Sequence, residues 1–133
     1  MSITTLAELL HHRAAQTPNH IAMRTKDAQG EWVQRTWTDL RDRADAIATG
    51  ILTAVDLEDN DVVGLLGATS EDWLTCDFAA LSVGLQTVPI YASLLPAEVG
   101  YCHTDTKIKL MFAKARAHTN LSVDKTKIIA CRG

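Results

Sequence analysis

Residues 85–96 read Leu85-Gln-Thr-Val-Pro-Ile-Tyr-Ala-Ser-Leu-Leu-Pro96 (LQTVPIYASLLP). Thr87, Val88, Ile90 and Tyr91 have strand chemistry, yet Pro89 lacks the N–H that a central strand gives to its ladder. The two signals agree if the proline is a stop. A short strand then runs from Gln86 to Ile90 and leaves the ladder at its end. Tyr91-Ala-Ser93 forms a turn, and Pro96 takes the first position of the next helix, where a missing N–H costs nothing.

The flanking sequence repeats this strand-to-helix alternation. Upstream, Val62-Val-Gly-Leu-Leu66 is a uniformly apolar run of strand length, the pattern of a strand covered on both faces. Ser70 is placed to cap a helix with Glu71 and Asp72 in its first turn, and Gly84 stands just beyond its last periodic residue. Trp73, Leu74, Cys76, Phe78, Ala79, Ala80, Leu81 and Val83 cover more than roughly half of that helix, leaving Glu71, Thr75 and Ser82 as its polar stripe. Downstream, Glu98 falls in the first turn of the helix begun by Pro96. Ile108-Lys-Leu-Met-Phe-Ala113 is another strand, and Lys127-Ile-Ile-Ala-Cys131 a weaker last one. Strands near Val62, Thr87 and Ile108 separated by single helices are successive βαβ units. The predicted fold is therefore α/β: a mostly parallel sheet with right-handed crossovers and helices on both faces.

An N-terminal helix and a β-hairpin precede this core. Leu6, Leu9, Leu10 and Ala14 share one side of a helix that ends near Thr17-Pro18-Asn19. Ile21–Thr25 and Glu31–Trp37 read as an antiparallel pair turned by Ala28-Gln29-Gly30. From Thr38 to Val55, Leu40, Ala44, Ile47 and Ile51 fall within roughly 60° of arc, a narrow apolar stripe on an otherwise charged helix. The expected organisation is one partial domain: helix and hairpin over 1–37, βαβ core over 38–113, and a weakly structured tail over 114–133.

With 133 residues, 47% of them hydrophobic, the chain has material for a core. A chain this long can bury roughly 70% of its unfolded surface. Thirteen basic against 16 acidic residues, a net charge of −3 and no basic run argue against a nucleic-acid partner. The N-terminus lacks the basic flank of a signal peptide, and no run approaches the ~18 apolar residues of a membrane span. Three widely separated cysteines, Cys76, Cys102 and Cys131, suit free thiols in a reducing cytoplasm.

Candidate chemistry is sparse. Gly64-Leu-Leu-Gly67-Ala-Thr-Ser70 is a strand–turn–helix junction whose Gly67, Thr69 and Ser70 could offer donors to a phosphate. It matches neither G-x-G-x-x-G nor a P-loop, and ordinary strand-to-helix packing is the better reading. His11 and His12 diverge by about 100° on a helix and cannot share a metal, so they read as a solvated pair. His103 near Asp105 reads as a cation at a helix C-terminus, while His20 and His118 have no patterned partner. Cys76 reads as a small core residue, and neither Cys102 nor Cys131 has a base at a readable spacing. Asp77, a lone charge in an apolar arc, reads as a salt bridge, a solvent gap or a contact with another protein part.

Taken in order, these blocks resemble the beginning of an AMP-forming acyl-CoA synthetase of the adenylate-forming ligase superfamily. The resemblance runs through Thr17-Pro-Asn-His-Ile-Ala22, Trp32, Thr36-Trp-Thr-Asp-Leu40, Asp61-Val-Val63, Ala68-Thr-Ser-Glu-Asp-Trp73, Phe78–Gly84 and Thr87-Val-Pro-Ile-Tyr-Ala-Ser-Leu94. The Ala-Thr-x-x-x-Trp form is most similar to the long-chain fatty-acid branch; Asn60, Val62 and Ser93 differ from the family's usual residues. The resemblance implies an incomplete N-terminal subdomain. It also implies, for the complete enzyme, ATP, Mg and CoA, a fatty-acid substrate, and passage through an acyl-adenylate. The family's phosphate loop, adenine motif, ribose-binding aspartate and catalytic lysine have no counterpart in these residues. No catalytic residue and no metal ligand is therefore assigned, and the chain alone is expected to bind no cofactor.

Three readings follow. The chain is the N-terminal segment of a fatty-acid-CoA ligase, either truncated or encoded separately from a downstream fragment that is its partner; or it is a stand-alone α/β module that binds a phosphorylated ligand; or it is an inactive truncated remnant. The breadth of the apolar surface on the helix after Ser70 argues for the first, because a surface helix of a finished domain shows a wider polar face.

Overall fold

The computed structural model describes residues 2–113 and 127–130. Two sheets form. Helix α1 (Leu6–Gln16) precedes a hairpin of β1 (Ile21–Lys26) and β2 (Trp32–Thr36), which leads into α2 (Trp37–Ala54). The core then alternates as β3 (Val62–Leu66), α3 (Glu71–Ser82), β4 (Gln86–Ile90), α4 (Pro96–Thr106) and β5 (Ile108–Ala113), with β6 at Lys127–Ala130. Cys131 lies outside the described residues.

Local chemistry sets the boundaries. Thr5 with Glu8 and Thr36 with Asp39 form capping boxes that start α1 and α2. At the hairpin turn, Asp27 Oδ1 accepts from the N–H groups of Gln29 and Glu31, and Gly30 takes a left-handed φ of 81°. Ser70 Oγ accepts from Trp73 N–H at 3.2 Å and starts α3, and Gly84, at φ 79°, ends its C-terminal turn. Pro96 opens α4, and Glu98 reaches back 2.7 Å to the Leu95 N–H.

Strands β3 to β6 are parallel throughout, in the order β4-β3-β5-β6. From β3 the chain moves to one side through α3, then crosses back over β3 through α4. Crossovers of the same hand running in opposite directions must lie on opposite faces. The packing agrees: Val63, Leu65, Leu110 and Phe112 meet α2 and α3, while Leu66, Met111 and Ala113 meet Val99 of α4. A register irregularity gives β5 one extra residue beside Val62 and Val63. The shift turns Ile108 to the α4 face with Met111. It also brings the Ile108 side chain to 3.0 Å from where a Cβ on Gly64 would sit, a close approach that favours glycine.

Strand β4 is an edge among the described residues, and this changes the role of Pro89. The Gln86 N–H donates to Asp61 O, and Ile90 O accepts from the Gly67 N–H. Residues 86, 88 and 90 thus face β3, and Pro89, paired in register with Leu65, turns its missing N–H outward. The proline is an edge residue inside the strand; the strand ends one residue later.

Two expected faces also shift. Helix α1 buries Ala7, Leu10 and Ala14, leaving Leu6 58% and Leu9 45% exposed. The leucine-rich stripe is rotated because α2 and α3 both meet α1 along its Ala7–Leu10–Ala14 line. In α3, Thr75 is fully buried, its hydroxyl donating to Glu71 O and Asp72 O within its own helix. Much of the apolar surface of α3 is covered by this chain itself, with Trp73, Leu74, Phe78, Leu81 and Val83 left partly exposed. Cys76, Ala79 and Ala80 face the sheet, and Leu74 and Phe78 join Leu10, Leu40 and Ala44 of α1 and α2.

Candidate functional site

A parallel sheet whose strand order reverses leaves a crevice at the carboxyl ends of the strands flanking the reversal, the usual ligand position in open α/β folds. Here that place is the carboxyl end of β3, beside β5 and the N-terminus of α3. A hollow of ≈ 10 Å³ lies there, walled by Leu66, Gly67, Ser70, Asp72, Trp73 and Phe112, among others. Its volume is about that of one water, far below a nucleotide.

The sequence candidates meet at this point. Gly67 and Ser70 line the hollow, and Thr69 is exposed on the turn outside it. The Gly67 N–H already donates to Ile90 O at 3.4 Å, and the Ser70 hydroxyl oxygen accepts the α3 capping bond. The first turn beyond carries Glu71 and Asp72, whose charges oppose an anion at the helix dipole's positive end.

The nearest cations are committed to those carboxylates. Arg35 Nε of β2 donates to Glu71 Oε1 at 2.8 Å, and Arg43 Nη1 of α2 lies 3.1 Å from the same oxygen. Arg43 Nη2 pairs with Asp72 Oδ1. Burial works against the Arg43 charge, but the hydrogen bond and charge of Asp72, and then Glu71, outweigh it and hold the guanidinium pKa above its ordinary value. Glu71 and Asp72 are only 13% and 12% exposed at their side chains, so each needs its arginine. The network clamps the hairpin and α2 to the start of α3. The sequence reading missed both arginines. One signal was present: Arg43 borders the Leu40–Ala44–Ile47 stripe, where a buried edge leaves a long side chain only lateral partners.

The remaining candidates are dispersed. His11 is exposed, as read from the sequence, but its ring also bonds Ala7 O and Asp45 and so ties α1 to α2. His103 sits in the last turn of α4, at the helix end where the sequence reading placed it. Cys76 is buried in the core, and Cys102, a residue of α4, packs partly buried against the Leu66–Ile90–Met111 cluster. Asp77 is half-buried and forms no ion pair among the described residues. His118 and Cys131 lie outside the described residues. Among the described residues no three His, Cys, Asp or Glu side chains converge as a metal site, and no helix is long and apolar enough to cross a membrane. At the hollow itself, the Gly67 N–H and the Ser70 hydroxyl oxygen are engaged within the chain and the neighbouring arginines are paired with carboxylates.

This architecture has solved counterparts. The N-terminal subdomain of NpsA from Klebsiella oxytoca superposes with a TM-score of 0.80 over 96% of this chain and 32% of that one, at 12% identity. The fold is that of the N-terminal subdomain of adenylate-forming enzymes. The sequence carries the assignment further: the model of the AMP-binding enzyme family matches residues 10–132, and the chain belongs to that family. Acyl-CoA ligase sidI of Aspergillus fumigatus is 30% identical over 112 residues, 84% of this chain and 18% of that protein. Long-chain-fatty-acid–CoA ligase FadD15 of Mycobacterium bovis is 29% identical over 92 residues, 69% of this chain and 15% of that protein. The chain therefore spans less than a fifth of the length of these two relatives.

Proposed function

We propose that these residues supply the opening scaffold of an acyl-CoA ligase that activates a fatty acid through an acyl-adenylate, the ATP chemistry residing in parts of the protein beyond them. The observation that carries this reading is the state of the switch-point crevice. It holds about one water, its turn donors are engaged, and its neighbouring arginines are paired with Glu71 and Asp72. Phosphoryl chemistry needs positioned donors and cations free to meet developing charge. The fatty-acid class rests on the likeness to FadD15 and on the Ala68-Thr-Ser-Glu-Asp-Trp73 block. In this role the α3 clamp fixes the crevice wall against which the rest of the ligase closes.

The test is ATP–pyrophosphate exchange with a fatty acid, measured with the 133-residue chain alone and with a co-expressed downstream fragment carrying the family's ATP-binding motifs. Exchange is expected only with both pieces. Exchange by the chain alone would overturn the scaffold role. A melting point raised by nucleotide without the second fragment would favour a stand-alone phosphate-binding module.

A further inference from the structure

We infer that His11 is a protonation-controlled latch holding α1 on α2. Its ring lies between two groups that can only accept a hydrogen bond: Nδ1 is 2.9 Å from Ala7 O, and Nε2 is 3.0 Å from Asp45 Oδ1. A neutral imidazole carries a single N–H, so one of these contacts would set a ring lone pair against an oxygen. Only the imidazolium donates to both. Loss of the proton must therefore break either the bond that orients the ring on α1 or the bond that reaches α2.

The latch matters because little else fastens this helix. Helix α1 buries Ala7, Leu10 and Ala14, of which Leu10 alone is large. Among the described residues, His11–Asp45 is the one ion pair between α1 and another element. From α2 the charged groups acting on the ring are Asp45 and, opposing it, Arg41, which is itself held by Asp42 at 2.8 Å. Helix α3, also packed on α1, adds no charge to the ring's field: Glu71 and Asp72 are held by Arg35 and Arg43, and Asp77 plays no part. The Ala7 carbonyl, and then Asp45, raise the His11 pKa above its ordinary value against the opposing effects of burial and Arg41. A raised folded-state pKa stabilises the docked helix fully below the unfolded value, near ~6.5, and the contribution fades as pH rises through the folded value.

The test is NMR on the 133-residue chain, following the His11 titration and α1 amide exchange in the wild type, Asp45→Asn and His11→Gln. His11 is expected to titrate above ~6.5 in the wild type and to move down in Asp45→Asn. Opening of α1, corrected for intrinsic exchange, should rise roughly two- to fivefold between about pH 5.5 and about pH 8, with β3 and β5 unaffected and the step absent from both variants. A His11 titration at or below the ordinary histidine value, or an α1 pH step that persists unchanged in Asp45→Asn, overturns the latch.

Discussion

Strand β5 and helix α1 are both short, both carry several large apolar residues, and are held in opposite ways. In β5, Leu110, Met111, Phe112 and Ala113 are buried from both faces by α2, α3 and α4. Helix α1 places Leu10 beneath α2 and α3 but leaves Leu6 and Leu9 half in water, and relies on His11 and its cap for the rest. The same residue type thus contributes very differently by location. Leu110→Ala should cost about 2–5 kcal/mol, because it removes a fully enclosed side chain and leaves a cavity. Leu9→Ala should fall within about 0.5 kcal/mol. Denaturant unfolding of the two variants checks this, and equal losses would show that the layers do not differ.

The joint between the layers comes next in size. Arg43→Ala removes the Arg43 contact from both Asp72 and Glu71, and Glu71 keeps Arg35. Arg43 is itself partly exposed, so the expected loss is about 1–2 kcal/mol, between that of an exposed pair and that of a fully buried one. Arg43→Ala combined with Asp72→Ala should recover part of it. A double-mutant cycle with no coupling would show that α3 is held by its apolar contacts and not by the clamp.

How much of this was legible in the sequence follows the same division. Every core element could be read: Val62–Leu66 and Ile108–Ala113 are continuous apolar runs, and Ser70, Gly84 and Pro96 mark helix ends by local chemistry. Those signals live on one residue and its neighbours. Residues whose role depends on what lies across from them were misread. Leu6 and Leu9 fit a stripe that tertiary contact rotated away, and Thr75 looked like solvent-facing polarity although its own helix satisfies its hydroxyl in the core. Asp61 entered only as part of the Asp61-Val-Val63 block, while its partner Lys109 becomes reachable through a register shift in β5 that no single-strand pattern encodes. At the crevice the sequence located Gly67 and Ser70 but not the Ile90 carbonyl and the arginines that occupy their surroundings.

Acid should loosen these joints in a defined direction. The Asp39 carboxyl is held below its usual range by the Thr36 N–H and hydroxyl, and Asp61 by the Glu58 N–H and then Lys109. A lowered folded-state pKa gives stability that is complete above the unfolded carboxylate value, near ~4, and is lost as pH falls through the folded one. Between about pH 5 and about pH 2 the unfolding midpoint should therefore fall, and Asp61→Asn should flatten that fall. An unchanged slope in Asp61→Asn would remove the Glu58–Asp61–Lys109 joint from the account.

A small effect is also expected at Pro89, although it stands inside a strand of the core sheet. If β4 were central, the residue would leave a β-ladder carbonyl without a donor, and replacing it would strengthen the sheet. The bonds Gln86 N–H to Asp61 O and Gly67 N–H to Ile90 O put residues 86, 88 and 90 against β3, so position 89 faces away. Pro89→Ala should therefore gain no ladder bond and should lose about 0.4–1 kcal/mol through the freer unfolded chain. It also places a new N–H on an edge that the proline blunts, so its clearer signature is a faster concentration-dependent association. A variant more stable than wild type would show that the Pro89 site faces a partner strand. A variant equally slow to associate would show that this edge is protected by something other than its proline.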